Sequence, residues 1–177
     1  MLDQTRLATS VKAAIAADQA WMLGALKRLV EAQSFSGHEE AAQKVMRELL
    51  DELGFEVREI PVEPEQLKRH PLYSPVVNEL HGCHNLLGRL SGTPADGTGT
   101  GKSLMISGHV DVVPTGHLPL WQCGPFDTYV KDGWFYGRGA GDMKGGLIAA
   151  LTGLKALVGA GFRPNRSKST RLNSSHG

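Results

Sequence analysis

At 177 residues, 41% hydrophobic and 21% charged, the chain has the size and composition of one globular domain with its own core. A formal net charge of +1 gives no bulk electrostatic reason to bind nucleic acid or an anionic membrane. The opening MLDQTRLATSVKAAIAADQA carries an early aspartate and no apolar run of signal-peptide length. No later segment stays apolar for the ~18 residues a membrane span needs, so a soluble, cytoplasmic protein is expected. Cys83 and Cys123 make no disulfide framework in a chain of this size and are expected to be reduced.

From about Thr5 to Gln33, Trp21, Leu23, Leu26, Leu29 and Val30 recur at helical spacing among alanines, which predicts a first helix. SFSGHEE interrupts it. Ser36 stands three residues before Glu39 in the arrangement of a capping box, and Val45, Met46, Leu49, Leu50 and Leu53 give a second helix its apolar face, ended by Gly54. FEVREI alternates as a strand, closed by Pro61 and Pro64, and the proline-rich stretch to Gly82 reads as a surface or substrate-side loop. HNLLGRLSG reads as a second strand, SGTPADGTGTGK as a loop, and SLMISGHVDVV as a central strand. In FDTYVKDGWFYGRG, Asp132 and Gly133 sit between aromatic and β-branched runs, which predicts a tight hairpin. DMKGGLIAALTGLKALVGAG is a third helix, headed by Asp142 and stopped at Gly159 or Gly161.

Interleaved helices and strands predict an α/β sandwich with a mostly parallel sheet. The last residues depart from that pattern. No acid follows Asp142, while Lys144, Lys155, Arg163, Arg166, Lys168 and Arg171 do, and RSKSTRLNSSHG holds only Leu172 as a large apolar residue. Residues 164–177 are therefore expected to be a disordered tail of non-native, vector-like origin, with a native disordered tail as the alternative, and residues 1–163 to carry the fold.

The strand SGHVDVVPTG places His109 and Asp111 two residues apart, on one face, near the C-terminal edge where open α/β sheets bind ligands. A metal-binding histidine usually donates its other ring proton to a carboxylate, and a His-x-Asp pair suits that arrangement; a surface salt bridge at a strand end is the plainer alternative. Asp142 follows a glycine-rich run and opens a helix, where a carboxylate is favoured and can bridge two metal ions; it could equally be an N-cap.

Taken together, GHVDVVP, a following Trp and GPF, and a hairpin ending DGWFYGRGAGDMKGG resemble the N-terminal half of the aminoacylase and carboxypeptidase family of dinuclear zinc hydrolases. Acetylornithine deacetylase and succinyl-diaminopimelate desuccinylase are familiar members. The resemblance is specific from Ser107 to about Leu154 and extends back to residue 20 through the helix-helix-strand opening. It implies an incomplete three-layer sandwich with a mixed sheet, the first part of a zinc-peptidase-like catalytic domain, without the family's dimerisation domain. It makes His109 a terminal zinc ligand, Asp111 the catalytic carboxylate supporting it, and Asp142 the bridge between two zinc ions, for which cobalt can substitute. The Asp142–Met143 peptide bond is expected to be cis, as is common in the family.

The activity implied is hydrolysis of the amide bond of an N-acyl amino acid or related amine, with a zinc carboxypeptidase or dipeptidase acting on peptides as the alternative. A homodimer is implied for a full-length protein only. The family's Glu-Glu pair, further acid and late histidine have no counterpart after Asp142, where His176 is the single histidine. With two ligands where zinc needs at least three, this chain by itself is expected to bind zinc weakly and to hydrolyse nothing, which leaves a non-catalytic binding module as the alternative outside enzymology. GTGTGKS lacks the first glycine of a phosphate-binding loop, since Asp96 stands there; Asp142 occupies the third glycine's place of a dinucleotide fingerprint in YGRGAGD. His81, Cys83 and His84 read as a loop before a strand, and Lys144 as a solvated or helix-capping lysine.

Overall fold

The computed structural model describes residues 4–75, 83–91, 103–162 and, for the backbone, 168–173. The chain runs α1 (Gln4–Ala17), α2 (Gln19–Glu31), α3 (Glu40–Glu52), β1 (Glu56–Pro61), a short α4 (Pro64–Leu67), β2 (His84–Leu90) and β3 (Met105–His109). The hairpin β4 (Tyr129–Lys131) and β5 (Trp134–Tyr136), α5 (Gly145–Gly159) and β6 (Lys168–Asn173) follow. This is the expected α/β class.

The expected first helix is broken at Asp18, whose backbone (φ −87°, ψ 10°) leaves helical geometry. Aspartate competes poorly for a helix interior, and here its carboxylate is engaged by Lys155 of α5 at 2.6 Å. The capping box does not form either. Helix α3 starts without a side-chain cap; Glu39 Oε1 accepts from the Gly37 N–H at 2.7 Å, and the Ser36 hydroxyl goes elsewhere. The hairpin is as expected, with positive φ at Asp132 (52°) and Gly133 (80°) and the Tyr129 and Tyr136 rings stacked at 4.7 Å.

The main sheet has the order β1-β2-β6-β3. β1 pairs antiparallel with β2, β2 antiparallel with β6, and β6 parallel with β3. The sheet is therefore mixed, but among the described strands it is not mostly parallel. The reason is connectivity. Only the β3–β6 connection, which carries the long helix α5 packed on the sheet, returns the chain in the same direction; the four-residue α4 between β1 and β2 does not make such a crossover. The tail also departs from expectation: the backbone of Lys168–Asn173 is a strand between β2 and β3, not a disordered segment. A low-hydrophobicity stretch can fill that slot because both its edges find backbone partners.

One face of the sheet is packed. Leu29 and Val30 of α2, Met46, Leu49 and Leu50 of α3, Leu86 of β2 and Ile148 and Leu151 of α5 form one buried cluster. Gly108 lets α5 come close: a Cβ there would lie 2.6 Å from Leu147 Cδ2 and 2.9 Å from Met143 Cε. Gly88 faces Leu50 and Phe55 on the same side, so α3 and α5 cover the same face. Among the described residues nothing covers the opposite face. Arg58 and Arg89 stand on it exposed, and Met105 keeps 64% of its surface. Two layers of the expected sandwich are thus present among the described residues. No helix among them is long and apolar enough to cross a membrane.

Candidate metal centre

β3 ends at His109, and the chain continues through Val110, Asp111 and Val112 as an extended segment stapled to the loop between α2 and α3. The Val112 N–H donates to the Ser34 carbonyl at 2.8 Å, Ser34 Oγ donates to the Val110 carbonyl at 2.5 Å, and Phe35 and Val112 form a parallel bridge. The next residue, Ser36, donates from Oγ to Asp111 Oδ2 at 2.9 Å. Asp111 Oδ1 lies 3.0 Å from His109 Nδ1, and the Asp111 carbonyl lies 3.2 Å from the same nitrogen. Carbonyl and carboxylate oxygens only accept, so Nδ1 would be the donor in these contacts when Nε2 binds a metal ion. His109 and Asp111 are both buried.

His109 Nε2 points the other way, to Asp142 Oδ1 at 3.1 Å. Asp142 lies in the irregular turn Ala140–Lys144, with φ −129° and ψ 100°, rather than at the head of a helix; α5 begins only at Gly145 with Lys144 as its cap residue. Asp142 is therefore not an N-cap. The Asp142–Met143 peptide bond is cis. Gly139 turns the chain into this loop at φ 81°, and a Cβ there would meet Val112 Cγ1 at 2.4 Å, so glycine is needed for both conformation and room. The Asp142 side chain remains 88% exposed.

Behind the turn, Lys144 is fully buried and donates from Nζ to the Leu29 carbonyl in the last turn of α2 at 2.9 Å. The expectation of a solvated lysine is corrected, although the ammonium does cap a helix, α2 rather than its own. Burial pushes it down to about 8, against the pull of the Asp111 carboxylate. Glu39 is buried beside the same carboxylate. Loss of hydration raises its carboxyl above the usual range, opposed by the Gly37 N–H, while Asp111 adds to the rise. The Cys83 thiol, 3.8 Å from Glu39 Oε2, is pushed up by burial, and Cys83 and Cys123 are both free thiols.

His109, Asp111, Val112, Gly139 and Asp142 line a cavity of about 310 Å³, with Arg138 on its wall. The guanidinium of Arg138 lies 5.2 Å over the Trp121 ring, and its Nη2 donates to the Thr115 carbonyl at 3.0 Å. The Asp142 carboxylate oxygen likewise only accepts, so either a proton on Nε2 or a metal ion stands between the two atoms. Two donors each about 2.05 Å from a tetrahedral zinc ion stand roughly 3.3 Å apart, close to the separation seen here. The pair thus fits as neighbours in one metal shell. Among the described residues, however, no group of three or more His, Cys, Asp or Glu side chains converges to hold a metal.

All three residues singled out in the sequence come together. Ser34, Ser36, Glu39 and Lys144 are the neighbours that sequence reasoning missed. The available signal was SFS, hydroxyls at a spacing of two, which suits a short strand-like pairing better than a helix cap. Of the decoys, His84 opens β2, as a loop-to-strand reading expects; His81 and the segment 92–102 lie outside the described residues.

Residues 105–169 match the model of Peptidase family M20/M25/M40. The succinyl-diaminopimelate desuccinylase of Wolbachia sp. subsp. Brugia malayi is 31% identical over 148 residues, covering 84% of this chain and 32% of the relative. That of Methylobacillus flagellatus is 52% identical over 59 residues, 33% of this chain and 16% of the relative. Among solved structures, the dipeptidase Dug1p of Saccharomyces cerevisiae superposes with a TM-score of 0.71 at 21% identity, covering 94% of this chain and 34% of that one. Human carnosine dipeptidase 1 gives 0.70 at 23% identity, with the same coverage of 94% and 34%. The chain therefore spans about a third of the length of the relatives it matches most broadly. The family model falls on the segment that carries His109 and Asp142, and the solved structures share the fold, so over residues 105–169 this chain is similar to peptidase family M20/M25/M40.

Proposed function

We propose that this chain forms part of the catalytic domain of a zinc-dependent amidohydrolase that removes an acyl group from the nitrogen of an amino acid or related amine. The observation that carries the reading is the convergence of His109 Nε2 and Asp142 Oδ1 at 3.1 Å on the wall of a cavity. His109 and Asp142 are assigned as ligands, and Asp111 holds the Nδ1 proton so that Nε2 presents its lone pair. The exposed Asp142 carboxylate has a second oxygen with which to reach a second ion. Zinc bound there would polarise the amide carbonyl and acidify the attacking water. No acid follows Asp142 in this chain, so the proton transfers at the scissile bond are assigned to a residue outside it.

Deacylation is preferred to peptide cleavage because curated relatives similar to this chain in sequence are desuccinylases. The dipeptidase reading, favoured by the solved structures, is the alternative. An acetylornithine-type substrate, a homodimer of the full-length protein and a cytoplasmic setting belong to the same proposal, the last in keeping with two free cysteines. The test is hydrolysis of N-succinyl and N-acetyl amino acids against dipeptides by the full-length protein, before and after chelation and zinc or cobalt return. Metal-restored cleavage of the N-acyl substrates is expected. Preferential cleavage of dipeptides selects the alternative, and cleavage indifferent to chelation overturns the metal assignment.

A further inference from the structure

We propose that Arg138 is a specificity-determining residue of the cavity: its guanidinium takes up a carboxylate of the substrate whose amide lies at His109 and Asp142. The proposal deepens the reading of this cavity as an amidohydrolase site and rests on it. Among the described residues that line the cavity, Arg138 is the only lysine or arginine, beside the carboxylates of Asp111 and Asp142. Neither carboxylate pairs with it. Its neighbours are neutral: Nη2 donates to the Thr115 carbonyl at 3.0 Å, and the guanidinium lies 5.2 Å over the Trp121 ring. Nη1 has no hydrogen-bond partner among the described residues, and Nε is buried without one.

An arginine stays charged at any working pH and carries five N–H donors in a planar fork that matches a carboxylate. Donors of a half-buried cation left unmatched cost free energy that an incoming anion removes. Arg138 is thus a cation without a counter-charge on the wall of a cavity.

It is also held in place without a ligand. The Trp121 indole Nε1 donates to the same Thr115 carbonyl at 3.0 Å, so ring and carbonyl together seat the guanidinium. The Arg138 N–H donates to the Pro125 carbonyl at 2.7 Å. On either side, a Cβ on Gly137 would meet Val30 Cγ1 at 2.8 Å, and one on Gly139 would meet Val112 Cγ1 at 2.4 Å. The backbone that carries Arg138 is therefore pressed against α2 and against the segment that follows His109. A fork fixed in this way loses little freedom on binding, which favours recognition of one planar anion. At about 310 Å³ the cavity lies at the low end of small-molecule sites and suits an N-acyl amino acid. The carboxylate is that of the amino acid or a terminal one on the acyl group; both present the same planar anion.

The experiment compares wild type, Arg138→Gln and Arg138→Lys in the full-length protein on three substrates. An N-acetyl amino acid carries only the α-carboxylate, an N-succinyl amine only the acyl carboxylate, and an N-acetyl amino-acid amide neither. Arg138→Gln is expected to raise KM roughly 10–100-fold for one or both anionic substrates, with kcat little changed and the neutral substrate unaffected. Which of the two suffers shows which carboxylate is held. Arg138→Lys, with the charge but not the fork, is expected to recover part of the loss, and it replaces the glutamine variant if that one does not fold. Equal losses on all three substrates, or none, overturn the proposal.

A second measurement needs neither turnover nor metal. Succinate is titrated into the chelated protein and followed at the ¹⁵N–H signal of the Trp121 indole, which shares its acceptor with Arg138. A saturable shift is expected in wild type and not in Arg138→Gln; no shift in wild type overturns the proposal. If activity survives chelation, the metal reading fails instead, and this titration still decides the role of Arg138.

Discussion

The two halves of the site differ in almost everything except the cavity they share. At the strand end, His109 and Asp111 are buried and tied by Ser34 and Ser36 to the loop after α2. On the turn, Asp142 is 88% exposed, and its restraint comes from behind, through the buried Lys144 and its bond to the Leu29 carbonyl. Both tethers end on the same stretch of chain, the last turn of α2 and the loop that follows. Orientation is thus supplied from the interior, while the carboxylate facing the cavity stays open to whatever enters.

The comparison breaks most sharply with Asp142→Ala set against Asp111→Asn in the full-length protein. Loss of Asp142 is expected to remove charge stabilisation of several kcal/mol, at least about a thousand-fold in kcat/KM. Its exposure predicts a change in urea stability within about 0.5 kcal/mol. The Asp111→Asn variant should instead lower both readings, metal affinity by roughly 10–100-fold and stability by about 1–3 kcal/mol, because a buried amide then meets the donors that the carboxylate accepted. Equal stability losses in the two variants would show that the halves are not distinct.

Lys144→Met comes next. Methionine keeps the length of the side chain but leaves the Leu29 carbonyl without its donor and Asp111 without a nearby cation, partly offset by relief of the buried charge; a loss of about 1 kcal/mol in urea unfolding is expected at pH 7. Zinc affinity should fall as well, because the turn is no longer tied to α2. An unchanged affinity would detach the turn from α2 in function.

The smallest effect is a matter of pH. The Glu39 carboxyl is raised above its ordinary 4.5 by burial, so the folded protein holds a proton that the unfolded chain releases. Stability is then lost as pH rises from 4.5 through the folded value. Glu39→Gln, which keeps an acceptor for the Gly37 N–H, should be neutral at pH 4 and more stable than wild type by up to about 1 kcal/mol at pH 7. Paired urea curves at the two pH values read the difference, and a gap of opposite sign or none at pH 7 removes Glu39 as a source of strain beside Asp111.

Local pattern carried much of this structure. The Asp132–Gly133 turn, the stop of α3 at Gly54 and the His109, Asp111 and Asp142 constellation are written within a few residues each. What was not legible depends on distant partners. Ser-x-x-Glu looks the same whether the hydroxyl caps its own helix or, as here, binds a carboxylate 75 residues away. Lys144 looks like any lysine near a helix start until α2 is seen to bring Leu29 against it. The direction of the strands depends on which connection carries a helix long enough to pack on the sheet, as α5 does between β3 and β6, and the composition of Lys168–Asn173 gave no hint that backbone pairing alone would seat it between two strands.

The strand order has a further consequence, for assembly. β1 closes one margin of the sheet with Glu56, Arg58, Glu59 and Pro61, the charges and proline that discourage a foreign strand from docking. β3 forms the other margin with Met105, Ile106, Ser107 and Gly108, which carry no charge and pair with no further strand among those described. Among the described strands that uncharged margin is the one left to template growth, so in this chain the strand that leads into His109 is also where self-association would begin.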